Sequence, residues 1–212
     1  MKAFLSLMVA VAVMAFAPTA QAEHHMEGEA MMMKAPVVGQ PAPEFTAVDS
    51  NGMTHNLSDF KGKYVVLEWS NKDCPFVKKH YESGNMQKLQ KQAGDDVVWL
   101  TVLSSAEGKQ GHLSGEEANA NVETTGAAPT AVLMDASGEI GKAYDAKTTP
   151  HMFVIDKDGV LRYAGAIDSN ASPSQSAIAT STNYVTAALD ALRAGQDVEV
   201  SQTQAYGCGV KY

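Results

Sequence analysis

Two stretches limit the fold of this chain more than any other feature: Lys63–Ser70, KYVVLEWS, and Val97–Leu103, VVWLTVL. Both are near-continuous runs of β-branched, aromatic and aliphatic residues. They lack the polar alternation of a strand that faces water on one side. Each predicts a strand buried on both faces, which needs other layers above and below it. Between them the pattern changes. Pro75 suits the first helical position, the stretch to about Ala93 predicts a helix, and Gly94 is a natural stop. Ser83-Gly84 predicts a bend or split in that helix.

The remaining elements are shorter. Phe45–Asp49 and Met53–Leu57 flank Ser50-Asn51-Gly52 and predict an N-terminal β-hairpin with an Asn-Gly turn. Residues 104–129 are polar and weakly patterned, with a short helix expected near Glu116–Val122. A strand over Thr130–Met134 and a helix over Ile140–Ala146 follow. His151–Asp156 and Val160–Ala166 predict two strands joined at Lys157-Asp158-Gly159. A last helix is expected over Gln175–Ala194, where Val185, Leu189 and Leu192 share one face and Gly195 can end it. This order predicts an α/β sandwich: a mixed central sheet flanked by helices.

The ends read differently. Met1–Ala22 has a positive start at Lys2, an apolar stretch to Ala17, and Ala20-Gln21-Ala22 in small-x-small form, as in a secretory signal peptide. The apolar stretch is short for a membrane span. Export to the periplasm is expected, with secretion as the alternative, and no membrane association once the signal is removed. Residues 23–36 form a leader rich in histidine and methionine. Soft ligands of that kind suit Cu(I), but their spacing matches no defined site, so it reads as a polar leader. The domain is expected over 37–196, with a tail over 197–212. The formal charge of −8 argues against a nucleic-acid partner, which needs basic surface. Two cysteines exclude a four-thiolate zinc site or an iron–sulfur cluster within one chain. A Cys74/His151 metal pair would lack enough ligands, and no metal or cofactor is expected.

Chemistry concentrates at Cys74. If Pro75 opens the helix, Cys74 caps it, with its sulfur at free backbone N–H groups and the positive end of the helix dipole. Both favour the thiolate, the reactive form. Lys72, Lys78, Lys79 and His80 add positive charge nearby, and Asp73 opposes them. Six residues earlier, Glu68 interrupts the apolar strand. It is either solvated at a sheet edge or buried beneath the site, where a raised pKa would let it relay protons to and from sulfur. Thr148-Thr149-Pro150 precedes a strand, where proline is tolerated; a cis Thr149–Pro150 bond would fix a tight feature near the site.

These residues resemble the thioredoxin fold. NKDCPFVKKHY, TTPHMFVIDKDG, YAGAID and the terminal YGCGVKY are similar to the peroxiredoxin-like branch of the redoxin families. The resemblance covers roughly residues 37–212. It implies a thioredoxin-like sandwich with Cys74 as the attacking cysteine, Glu68 as a proton relay, and Pro75, Phe76, Thr149 and Pro150 around the substrate. Val77 stands where thioredoxins carry their second cysteine and where peroxiredoxins carry the peroxide-reducing one. Asn71 and Leu67 stand where peroxiredoxins have a hydroxyl residue and a proline, and the two arginines, Arg162 and Arg193, lie far along the chain.

Cys208, flanked by glycines in the tail, is then the other internal sulfur. It can resolve a mixed disulfide or sulfenic acid on Cys74, form a permanent staple with it, or stay unpaired. The expected function is a periplasmic thiol–disulfide oxidoreductase with Cys74 as nucleophile. Its partners would be a protein or small-molecule thiol or disulfide and an external electron donor or acceptor. A thiol-dependent peroxidase and a non-enzymatic partner- or metal-binding module are the alternatives. Asp168 is expected only to cap a loop.

Overall fold

The computed structural model describes residues 35–212, so the expected signal segment and residues 23–34 of the leader lie outside the described residues. Strands β1 (Thr46–Val48) and β2 (Thr54–Asn56) pair antiparallel as the N-terminal hairpin. Asp49 shapes the turn by accepting the backbone N–H of Asn51 at 2.8 Å and of Met53 at 2.9 Å. Gly52 takes φ +83° there, a region that side chains disfavour.

The chain then runs through β3 (Tyr64–Trp69), α1 (Pro75–Glu82), α2 (Asn85–Gln92), β4 (Val97–Leu103) and α3 (Gly115–Thr125). β5 (Ala131–Met134), α4 (Glu139–Ala143), β6 (Thr148–Thr149), β7 (His151–Ile155) and β8 (Leu161–Gly165) follow. α5 (Tyr184–Arg193) and β9 (Cys208–Gly209) complete it. The central sheet has the order β5-β4-β3-β7-β8. β3, β4 and β5 are parallel, while β7 and β8 are antiparallel to their neighbours. This is the expected thioredoxin-like α/β sandwich.

β3 explains the two-sided burial. Its alternate side chains enter two different cores. Val65, Leu67 and Trp69 pack with Tyr144, Phe153 and Leu133. Tyr64 and Val66 pack on the other face with Met86, Trp99, Val154 and Leu189. Burying each such large side chain is worth about 1.5–3 kcal/mol. Glu68 lies on the second face by alternation, fully buried where a charge is costly.

Two helices differ from expectation. The helix expected over 75–93 is split, as Ser83-Gly84 suggested: Gly84 adopts φ +74° and separates α1 from α2. The helix expected over 175–194 is not continuous. Residues 175–180 form a 3-10 turn, Ser181 is extended, and α5 begins only after Asn183, whose side chain accepts the N–H of Thr186 at 2.9 Å. Short polar side chains in Ser181-Thr182-Asn183 bond the local backbone and favour a cap over a helix interior. The short helix expected near 116–122 extends to 115–125. A reciprocal cap fixes its start: Ser114 Oγ accepts the N–H of Glu117, and Glu117 accepts that of Ser114.

Candidate active site

The end of β3 leads into a turn fixed by Asn71. Its carbonyl accepts the Cys74 N–H at 3.0 Å, its Oδ1 accepts the Asp73 N–H at 2.9 Å, and its Nδ2 donates to the Gln110 carbonyl at 3.2 Å. Gly111 is required at that approach, since a Cβ there would meet the Asn71 side chain at 2.3 Å. Cys74 thus becomes the residue that opens α1, with Pro75 in the first helical position, as the sequence predicts. Its carbonyl accepts the N–H groups of Val77 and Lys78.

The Thr149–Pro150 peptide bond is cis. The Thr149 carbonyl lies 3.0 Å from Cys74 Sγ, so the Thr-Pro unit and the cysteine meet across 75 residues of chain. A feature that the sequence left invisible completes the site. The two-residue strands β6 and β9 pair antiparallel, with Thr149 opposite Cys208 and Thr148 opposite Gly209. Gly207 makes this approach possible, because a Cβ there would sit 2.0 Å from the Thr149 carbonyl oxygen. The pairing brings Cys208 beside Cys74, where each sulfur bears on the ionisation of the other. Both cysteines are free thiols; Cys74 is buried and Cys208 half-buried.

The two sulfurs are electrostatically unequal. Burial disfavours the Cys74 thiolate, yet hydrogen bonds from the Cys208 thiol, Thr149 and the backbone of Val77 and Cys208 hold its pKa below the ordinary thiol value. The Thr149 carbonyl works the other way, since only a protonated Sγ can donate to it. Burial and the neighbouring Cys74 sulfur push Cys208 up to about 11.

The positive charges counted near Cys74 in the sequence are mostly spent elsewhere. Lys72 pairs with Asp73 at 2.9 Å. Lys79 is buried and points away into an ion pair with Asp168 at 2.9 Å, donating also to the Asn170 carbonyl at 2.8 Å. His80 is fully buried; burial takes its pKa down to about 4, against the pull of Asp168, with Lys79 adding to the depression. It is therefore neutral at pH 7. Asp168 does more than cap a loop: it also accepts the hydroxyl of Tyr206, whose ring packs on Phe76 at 5.7 Å between centroids. Only Lys78 remains an exposed cation on the first turn of α1.

Glu68 is buried, the second of the two options the sequence left. Its Oε1 accepts from Tyr81 at 2.7 Å, and its Oε2 from Trp99 at 2.9 Å and Thr101 at 3.3 Å. Desolvation raises its pKa despite these donors. Cys74 is not among its hydrogen-bond partners. His151 also stays apart from the sulfur: its ring lies against Phe153, and its Nδ1 accepts the Lys147 N–H. Among the described residues, no group of three or more His, Cys, Asp or Glu side chains is placed to hold a metal ion. No helix among them is long and apolar enough to cross a membrane.

Comparison with known proteins agrees with this geometry. The sequence model described as AhpC/TSA family matches residues 38–164. The candidate peroxiredoxin sll0755 of Synechocystis sp. is 30% identical over 145 residues, 60% of this chain and 67% of that one. The thiol-disulfide oxidoreductase ResA of Bacillus subtilis is 29% identical over 122 residues, 57% of this chain and 63% of that one. The chain therefore spans about two thirds of the length of these relatives. The solved structure of the hypothetical protein SMc02350 from Sinorhizobium meliloti superposes with a TM-score of 0.72 at 26% identity, covering 84% of this chain and 96% of that one.

Proposed function

Because this chain belongs to the AhpC/TSA family, we propose that it is a thiol–disulfide oxidoreductase in which Cys74 attacks and Cys208 resolves. The observation that carries this reading is the pair of unequal thiols that the β6–β9 pairing and the Thr149 contact bring together, one held below and the other pushed above the ordinary value. The thiolate is the attacking form, and the lower-pKa sulfur is the better attacker at neutral pH.

In the first step Cys74 Sγ attacks one sulfur of a client disulfide. That S–S bond breaks, and the departing client thiolate takes up a proton. Cys208, having lost its proton, then attacks Cys74 Sγ in the mixed disulfide and releases the second client thiol. Two electrons pass to the client, and Cys74 and Cys208 end joined as a disulfide, which an external dithiol donor reduces. The same steps in reverse oxidise a client dithiol. Pro75 is exposed and Phe76 half-buried beside Cys74, and with the buried Thr149 and Pro150, which the client would meet once the sulfur is uncovered, they would contact a protein or small-molecule client. Glu68 stands outside this cycle, since its hydrogen-bond donors are Tyr81, Gln90, Trp99 and Thr101 and not Cys74.

Disulfide exchange is favoured over peroxide reduction by the surroundings of the sulfur. The second position of the site is Val77, and the two arginines are engaged elsewhere, Arg162 with Asp156 and Arg193 with Asp96. The name of the ResA relative supports the same choice. The signal-like segment Met1–Ala22 supports export to the periplasm, an oxidising compartment in which such exchange operates.

The test is the pH dependence of Cys74 alkylation in reduced protein, in the wild type and in Cys208→Ala. A wild-type pKa below the ordinary thiol value of about 8.5 is expected, rising when the Cys208 donor is removed. A wild-type pKa at or above that value overturns the activated-thiolate reading. In turnover, Cys208→Ser should accumulate a Cys74–client mixed disulfide visible by intact mass. Sustained Cys74-dependent consumption of peroxide, with no reduction of insulin or a small disulfide, would decide for the peroxidase.

A further inference from the structure

Cys74 is only 1% exposed, so an external disulfide cannot reach it in this arrangement. The tail lies against it: Cys208 pairs with Thr149, whose carbonyl meets the Cys74 sulfur, and Tyr206 packs on Phe76, two residues further along α1. Tyr206 is also tied to the most unusual polar feature of the fold. Lys79 and Asp168 form an ion pair with both side chains almost wholly buried. Asp168 Oδ2 takes Lys79, while its Oδ1 takes the Tyr206 hydroxyl and the Asn170 N–H. Lys79 Nζ lies 3.4 Å from the same hydroxyl and 5.4 Å from the centre of its ring. His80 Nε2 faces the hydroxyl at 3.5 Å from below.

From this we infer that Tyr206 is a latch: a positioning residue that docks on the Lys79–Asp168 pair and thereby sets how often the tail opens and uncovers Cys74. The inference rests on the reading of Cys74 as the attacking sulfur.

A charged socket suits a contact that must open. A buried ion pair left beneath a departing tail regains hydration, whereas an apolar socket of the same size would be left facing water. The tail has room to move, because Gln202–Ala205, just before Tyr206, border an open cavity of about 740 Å³. The rest of the tail is held by the β6–β9 pairing, the Val210 N–H on the Lys147 carbonyl, the Ala106 N–H on the Lys211 carbonyl, the Tyr212 hydroxyl on the Ala146 carbonyl, and Thr203 against Ala164 and Ala166. Tyr206 is the one tail side chain that reaches the buried pair, and it does so two residues from Cys208.

The experiment is alkylation of Cys74 in reduced full-chain Tyr206→Phe and wild type, resolved by peptide mass from pH 6 to 8.5, alongside urea denaturation of both. Phe keeps the ring on Phe76 and removes only the hydroxyl. The expected result is Cys74 alkylation about ten- to a hundredfold faster, the factor of a charge-assisted hydrogen bond lost from the closed state, at constant ratio across pH and with most of the urea midpoint retained. An unchanged rate overturns the latch. So does a faster rate matched by an equal loss of global stability, since Cys74 would then be reached by unfolding of the whole domain. Alkylation needs no client or electron donor, so the latch can fail while disulfide exchange survives, and the reverse.

Discussion

Replacing Glu68 by Gln should change how the stability of this protein depends on pH. The Glu68 carboxyl is fully buried and bonded to Tyr81, Trp99 and Thr101, and desolvation raises its pKa above the ordinary 4.5. Above pH 4.5 the unfolded chain has released this proton while the folded protein still holds it. Folding therefore takes up a proton over that range, and stability falls as pH rises until the folded pKa is passed. The slope is about 1.4 kcal/mol for each pH unit between the two values. Gln matches the protonated acid in shape. Its oxygen can accept from Trp99 and Thr101, and its amide can donate to the Tyr81 oxygen, whose own hydrogen rotates away. The variant keeps the packing and loses the slope. Its stability relative to wild type should climb by about 1.4 kcal/mol per unit above pH 4.5 and then level off. Urea denaturation of both proteins with reduced cysteines, followed by tryptophan fluorescence at half-unit steps from pH 4.5 to 8, measures the difference directly. Other titrating groups are common to both proteins and cancel. Parallel stability curves would refute the reasoning, because they would mean that Glu68 ionises alike in the folded and unfolded states.

Two further outcomes follow from the same reasoning. His80, taken down to about 4 by burial, binds its proton more weakly folded than unfolded, where 6.5 is ordinary. Its contribution to stability is full above pH 6.5 and lost as pH falls toward 4, and ring-nitrogen NMR should find it neutral at pH 5.5; a midpoint near 6.5 in the folded protein refutes this. Gly207→Ala should cost more than about 1 kcal/mol, because φ is +137° and the new Cβ meets the Thr149 carbonyl. The loss should fall on the tail, read as faster proteolysis after Ser201 and a detached Cys208; an unchanged tail would refute the close approach.

The parts of the fold legible in the sequence are those whose cause is local. β3 and β4 declare themselves because every position of each strand is buried, so the run is apolar except at the mutually bonded Glu68 and Thr101. The split between α1 and α2 is visible because only Gly84 can take the left-handed conformation there at no steric cost. The Cys74-Pro75 helix start is visible for a similar reason, since a proline in that context has few other places to be. β6 and β9 are two residues each, too short for any periodicity, and their pairing depends on a chain reversal 59 residues long. Lys79 and Asp168 are 89 residues apart and carry no motif. The expected final helix failed because its apolar face occupies only the second half; the first half offers Ser, Thr and Asn side chains that cap the backbone instead.

That difference also corrects the account of why Cys74 should be reactive. Sequence proximity credits the sulfur with Lys72, Lys79 and His80. Once folded, Lys72 is paired with Asp73, Lys79 with Asp168, and burial keeps His80 neutral. Their charges are compensated or absent where the sulfur needs them. What lowers the Cys74 pKa instead is short-range hydrogen bonding from the Cys208 thiol, Thr149 and the backbone of Val77 and Cys208. The Cys208 donors act only while the tail is docked, so the same contact that covers Cys74 also helps to ionise it. Opening the tail to admit a client therefore trades access against activation. Thr149 and the Val77 backbone at the start of α1 are the part of the activation that remains when Cys208 is withdrawn, because they belong to β6 and the helix and not to the tail.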